Sequence, residues 1–327
     1  MKLAPTLLLA GVCVALGQLA VAQTAPAPYP SRPIRLIAPS SAGGPVDVIA
    51  RIVAQGLSEQ LGQQFVIDNR AGAAGLIGAE LVAKSAPDGY TLLFGFSGPL
   101  AIVPNLNDAT PYDTLKDFAP VTLAASAPYV LLVHPGVPAR SVKELVALAR
   151  SQPAKLNYAS GGTGTGIHMA GELFNLAAGV QIQHVPYKGA APAQTALMAG
   201  EVSMMFNGLS PALAFVKSGK LRALAVGGTK RTALLPDVPT VAESGYDFHT
   251  TGWYGIVAPR GTPRTVVNKL RGETVKALAL PDVKDKLTAL AVEGIGSTPE
   301  EFSALLREEM VKWAKVIKAA GLKGKTS

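Results

Sequence analysis

The chain is poor in cysteine, in aromatic rings and in charge, and each shortage closes off a class of function. Cys13 is the single cysteine among 327 residues, and it falls in a segment expected to be removed on export. The mature chain then has no disulfide framework, no thiolate metal site and no cysteine nucleophile. Aromatic residues are 6% and charged residues 16% of the whole. The formal charge of +8 comes from scattered Lys and Arg without a long basic run. Lacking a dense basic stripe and stacking platforms, the chain is not expected to bind nucleic acid. His134, His168, His184 and His249 stand far apart without ligand spacing, so they read as structural hydrogen-bonders and no metal or cofactor is expected.

What is present is a hydrophobic fraction of 48%, enough to exclude wholesale disorder and, at this length, to build two cores. Residues 1–22 read as a cleavable signal peptide. Lys2 supplies the positive start, Leu7 to Leu16 the apolar stretch, and Ala20-Val21-Ala22 the small-x-small cleavage pattern. Val12 before Cys13 speaks against lipidation. Beyond this leader no apolar run approaches the ~20 residues of a membrane span. An exported chain without disulfides places the protein in a bacterial periplasm.

Short strands alternate with helices along the mature chain. Strands are expected at 34–38, 65–68, 91–95, 129–134, 156–159, 182–185, 202–206, 221–226 and 253–258. They are rich in Val, Ile and Leu with little polar alternation, the signature of strands covered on both faces and hence of parallel α/β layers. Helices are expected at 45–61, 77–84, 141–150, 167–177, 192–198, 264–279, 281–290 and 299–320. Gly44 and Pro45 form the start of the first, and Thr298-Pro299-Glu300-Glu301 a capping box for the last. The apolar face of that last helix, Phe302, Leu305, Leu306, Met310, Trp313 and Ile317, needs a surface, and the first domain is the simplest one. The expected division is therefore lobe 1 at 23–123 plus 246–327 and lobe 2 at 124–245.

Signatures of enzymes are missing. Gly161 to Gly166 fits no G-x-G-x-x-G in register, no Walker sequence exists, and Gly95-Phe96-Ser97-Gly98-Pro99 fails as a nucleophile elbow. What remains is a set of glycine-rich loops after the strands: Pro39-Ser40-Ser41-Ala42-Gly43-Gly44, Asn69 to Gly75, Gly95 to Gly98, Ser160 to Gly166, and Pro186 to Gly189. In an open α/β sheet, ligands sit beyond the carboxyl ends of the strands. Helix N-termini there offer N–H donors to an anion. Five such loops point to a site for a small carboxylate. Arg70 either pairs with that carboxylate or braces its loop, and Lys188 stands likewise. Asp47 is expected to hold the first loop by accepting N–H bonds. The Met204-Met205 pair reads as core strand, and the Thr165 hydroxyl as a ligand donor whose loss leaves folding unaffected.

These residues resemble the substrate-binding components of tripartite tricarboxylate transporters, the Bug family. The phrases are Arg32-Pro33-Ile34-Arg35-Leu36-Ile37, Gly43-Gly44-x-x-Asp47, Asp68-Asn69-Arg70, Pro87-Asp88-Gly89-Tyr90-Thr91-Leu92-Leu93, His184-Val185-Pro186-Tyr187-Lys188-Gly189 and Leu235-Pro236-Asp237-Val238-Pro239-Thr240. In this order they span about Tyr29 to Leu322. The resemblance implies an α/β, two-lobed periplasmic-binding-protein fold with parallel-rich sheets, flanking helices and a hinge. It implies ligand contacts at Gly43, Gly44, Asp47, Ser97, Ser160, Thr163, Thr165, His168 and Tyr187. Ser40, Ser41, Arg70 and Gly164 join them from the loops. Where the family usually carries an aromatic and prolines, this chain has Ser40, Ser41 and Ala42, which implies a wider or wetter pocket.

The expected function is a monomeric periplasmic receptor that closes on a small carboxylate-bearing metabolite, an organic acid or amino acid. Integral membrane permease subunits, implied by the resemblance, would then take the solute. The alternative is a receptor that signals to a membrane sensor protein. No enzymatic activity is expected.

Overall fold

The computed structural model describes residues 29–153 and 155–324. The expected leader at 1–22 and the chain from 325 onward lie outside them. The first segment is a βαβαβ series: β1 (Ile34–Ala38), α1 (Pro45–Leu61), β2 (Phe65–Asn69), α2 (Leu76–Ala83) and β3 (Thr91–Phe96). A π-helical turn at Gly98–Ile102 leads into α3 (Val103–Leu106) and α4 (Thr114–Asp117). Strand β4 (Phe118–Val133) is 16 residues long. It opens a second series of α5 (Val142–Ser151), β5 (Asn157–Ser160), α6 (Gly166–Ala178), β6 (Gln183–Pro186), α7 (Ala190–Ala199), β7 (Met204–Gly208), α8 (Leu209–Lys217) and β8 (Arg222–Val226). The chain returns through β9 (Thr251–Pro259) to α9 (Arg264–Ala279), α10 (Pro281–Ala289), β10 (Glu293–Gly294) and α11 (Pro299–Ala319).

The strands run in the order β2-β1-β3-β9-β4-β7-β5-β6, with β8 and β10 also paired to β4. Both ends are parallel, β2-β1-β3 in one and β7-β5-β6 in the other. The middle is antiparallel: β9 pairs β3 and β4, and β4 pairs β7 and β8. β4 changes partner within its own length, from β9 up to Pro128 to β7 from Tyr129. Close by, the Gly227 N–H donates to Tyr129 O at 2.8 Å and Thr250 N–H to Gly227 O at 2.9 Å. The chain thus passes between the two halves at two adjacent places.

Successive side chains of each strand enter different cores. Leu36 and Phe94 pack with Val53, Leu57 and Leu270 beneath α1 and α9, while Ile37 and Leu93 pack with Phe302, Leu306 and Trp313 beneath α11. In the second half, Leu131, Val133 and Phe206 meet Phe174 and Phe248, and Val130, Leu132 and Met205 meet Leu197 and Leu209. Both sheet faces are covered by helices, which accounts for the unbroken apolar runs. The expected inference from those runs to parallel pairing fails at β4 and β9, because double coverage requires apolar residues whichever way the neighbour runs.

Most expected elements stand within a residue or two of their place. The capping box of α11 is complete, with Glu301 N–H to Thr298 Oγ1 at 3.1 Å and Thr298 N–H to Glu301 Oε2 at 2.8 Å. Stretches that were not expected include the π-helical turn, α3, α4, α8, β10 and the first half of β4. Pro99, Pro104, Pro120 and Pro128 make the region from 98 to 128 read as loop. In the structure Pro99 and Pro104 occupy helix starts, where no N–H is needed.

Candidate functional site

The loops after β1, β2, β3, β5 and β6 converge on one cavity of about 810 Å³ between the two halves. Of the residues expected at the site, Ser40, Ser41, Thr163 and Thr165 line it. Gly43, Gly44, Asp47, Arg70, Ser97, Ser160, Gly164, His168 and Tyr187 are not among the lining residues. They build the walls from behind, each by a definable contact.

In the first half, the carboxylate of Asp47 is 3% exposed. It accepts from Gly43 N–H at 2.8 Å, Asn69 Nδ2 at 2.9 Å and Arg51 Nε at 3.1 Å. Burial alone would raise its pKa. The hydrogen bonds from Arg51, Gly43 and Asn69 outweigh that cost and hold it below the ordinary carboxylate range. Asp47 thereby fastens the start of α1 to the loop after β2, as its spacing from Gly43 led one to expect. Gly44 is the N-cap, with its N–H on Ser41 O at 3.3 Å. Arg70 resolves toward bracing: its Nε donates to Asp68 Oδ1 at 3.0 Å, and Arg35 shares that carboxylate.

In the second half, Thr165 is the N-cap of α6, accepting from His168 N–H at 3.3 Å and donating to Gly162 O at 2.8 Å. Ser160, fully buried, lies with Oγ 2.7 Å from His184 Nε2 and receives Gly162 N–H at 3.1 Å. Gly164 N–H points at His168 Nδ1 at 3.3 Å, which puts the neutral ring's proton on Nε2. Burial, and then the neighbouring His184, pushes His168 down to about 3; burial pushes His184 down to about 4. Tyr187 N–H donates to Ser160 O at 3.0 Å, tying two loops together.

Beside the cavity the halves approach each other at Gly164 and Gly166. A side chain on Gly164 would start 3.1 Å from Leu106 and 3.6 Å from Ala74, and its φ of +81° suits glycine. A methyl on Gly166 would start 2.9 Å from Ser97 Oγ of the first half and 2.3 Å from the Tyr129 hydroxyl of its own.

The expected Asn69 to Gly75 loop lines the cavity from Ala71 on, and Ala73 and Ala74 in it hold left-handed φ of 46° and 53° between Gly72 and Gly75. Such strain collects at ligand-binding positions. Val103, Leu106, Asn107, Ala109 and Pro111 form another side, which was missed from sequence. This stretch carries no motif and has no signal apart from lying close in space. Lys188, weighed evenly with Arg70, lines the cavity and is its one charged wall residue. Among the described residues, no cluster of His, Cys, Asp and Glu is placed to hold a metal ion, and no helix is long and apolar enough to cross a membrane.

Comparison with known proteins gives a consistent set. The family model described as "Tripartite tricarboxylate transporter family receptor" matches residues 49–322. Protein BugT of Bordetella pertussis is 37% identical over 297 residues, covering 90% of this chain and 91% of its own. Two solved structures superpose over nearly their whole length. R. palustris Rpa4515 with adipate has a TM-score of 0.83 at 37% identity, covering 90% of this chain and 98% of that one. MatC from Rhodopseudomonas palustris with bound malate has a TM-score of 0.81 at 33% identity, covering 88% and 100%.

Proposed function

The chain belongs to the family of tripartite tricarboxylate transporter receptors, the Bug proteins, and on that premise we propose that it is a periplasmic receptor for a small carboxylate. The carrying observation is a cavity walled by loops of both halves, with Ser40 and Ser41 on one side and Thr163, Thr165 and Lys188 on the other. Hydroxyl, amide and ammonium groups replace the hydration of an anion, and none of the wall residues is acidic. The malate and adipate held by the two relatives belong to this ligand class.

In this reading residues 1–22 export the chain, and the lobes are 23–123 plus 246–327 and 124–245. The crossings near Tyr129 and Thr250 serve as the hinge. Solute favours the closed form because both lobes touch it only there. The loaded monomer then hands the solute to membrane permease subunits; it carries out no chemistry and needs no cofactor. The test is a thermal-shift and calorimetry screen with mono-, di- and tricarboxylates and amino acids. A bound carboxylate should raise the melting temperature in proportion to ln(1 + [L]/Kd). A flat response across the whole panel would overturn the reading.

A further inference from the structure

The composition of the cavity wall narrows the ligand class. Resting on the carboxylate reading above, we propose that the site selects carboxylates joined to an apolar body, an alkyl chain or an aromatic ring, over compact acids bearing several polar groups.

The charge of the wall is the first ground. The chain has 30 Lys and Arg, yet one residue of the 21 lining the cavity is charged, the exposed Lys188. One ammonium, with a few hydroxyls and amides, matches one carboxylate. Each further carboxylate would lose hydration without a partner of opposite sign.

The second ground is what the rest of the wall is made of. Leu76, Phe96, Val103 and Leu106 line it, with Ala73 and Ala109 between. They come from segments other than the hydroxyl-bearing loops, so the wall divides by element into polar and apolar parts. At about 810 Å³ the cavity exceeds a four- or six-carbon acid. A compact acid would leave the apolar part facing water, whereas an alkyl or aryl group covers it. Each methylene so covered is worth about a fourfold gain in affinity.

Third, Ser40 Oγ is buried and has no hydrogen-bond partner within the protein. Ser40 belongs to the cavity wall. An unpartnered buried hydroxyl is a costly feature unless a ligand oxygen completes it.

The experiment is titration calorimetry of the mature chain at fixed pH and ionic strength with six probes: hexanoate, benzoate, malate, citrate, hexanamide and benzamide. Hexanoate and benzoate should bind at least tenfold more tightly than malate and citrate, with no binding of the amides. If malate or citrate binds as tightly as either apolar acid while the amides do not bind, apolar selection is overturned and the carboxylate reading stands. If the amides bind as well as their acids, the carboxylate reading itself falls and takes this inference with it; if none of the six binds, apolar selection is overturned and the carboxylate reading is decided by the wider acid panel. Ala109→Lys provides a second measurement at an exposed wall position. It should shift the malate-to-hexanoate affinity ratio at least fivefold toward malate. An unchanged ratio would remove the segment after α3 from the ligand's surroundings and with it the inference.

Discussion

The rings of His168 and His184 lie with centroids 4.0 Å apart, tilted by 33°, directly behind the loop that carries Ser160, Thr163 and Thr165. Both are kept neutral by burial, His168 at about 3 and His184 at about 4, against an ordinary imidazole near 6.5. The unfolded chain therefore binds protons that the fold refuses. Stability from this pair is complete above pH 6.5 and drains away as pH falls from there through 4 toward 3. Melting temperature from pH 7.5 to 4.5 should fall by several degrees less in the His168→Gln/His184→Gln double variant than in the parent. Equal slopes would show that these rings titrate alike in both states.

Thr165 was expected to lend its hydroxyl to the ligand without a role in folding. As the N-cap of α6, bonded to His168 N–H and Gly162 O, it has a structural role that corrects this expectation. Thr165→Val should cost about 1 kcal/mol of stability, read by denaturant titration. It should also weaken ligand binding through a looser 160–166 loop. Stability unchanged within error would return Thr165 to a purely ligand-facing role.

Gly166 tests closure. Its missing side chain leaves room for the Tyr129 hydroxyl and for Ser97. Gly166→Ala presses a methyl against Tyr129 of its own half and Ser97 of the other, and apparent ligand affinity should drop at least tenfold in calorimetry. Parent-like affinity would mean the halves do not meet at this point in the loaded state.

Glu309, 7% exposed, accepts from Trp253 Nε1 at 3.0 Å and Trp313 Nε1 at 2.8 Å, fastening α11 to β9. Glu309→Leu buries two indole N–H groups without an acceptor, at about 1–3 kcal/mol each. Urea denaturation should show a loss of about 2–6 kcal/mol, while Glu309→Gln, which keeps one acceptor, should lose less. Equal losses in the two variants would assign the effect to packing alone.

The local rules of the chain were enough for much of this structure. Covered strands announce themselves by unbroken apolar runs, Gly44-Pro45 and Thr298-Glu301 begin helices by short-range hydrogen-bond chemistry, and Asp47 sits one turn from the N–H it accepts. Each of these involves groups a few residues apart, so the sequence alone determined them, as it did the family phrases and the loops that surround the cavity. Tertiary packing decided the rest. Arg35 reaches the Asp68 carboxylate that Arg70 also holds only because strands β1 and β2 lie side by side. His168 turns inward because His184 and Gly164 meet it there. The apolar wall at Val103, Leu106 and Ala109 exists because residues with no pattern of their own are carried to the second half's loops. A site between two halves belongs to neither segment, and distance along the chain carries no record of it.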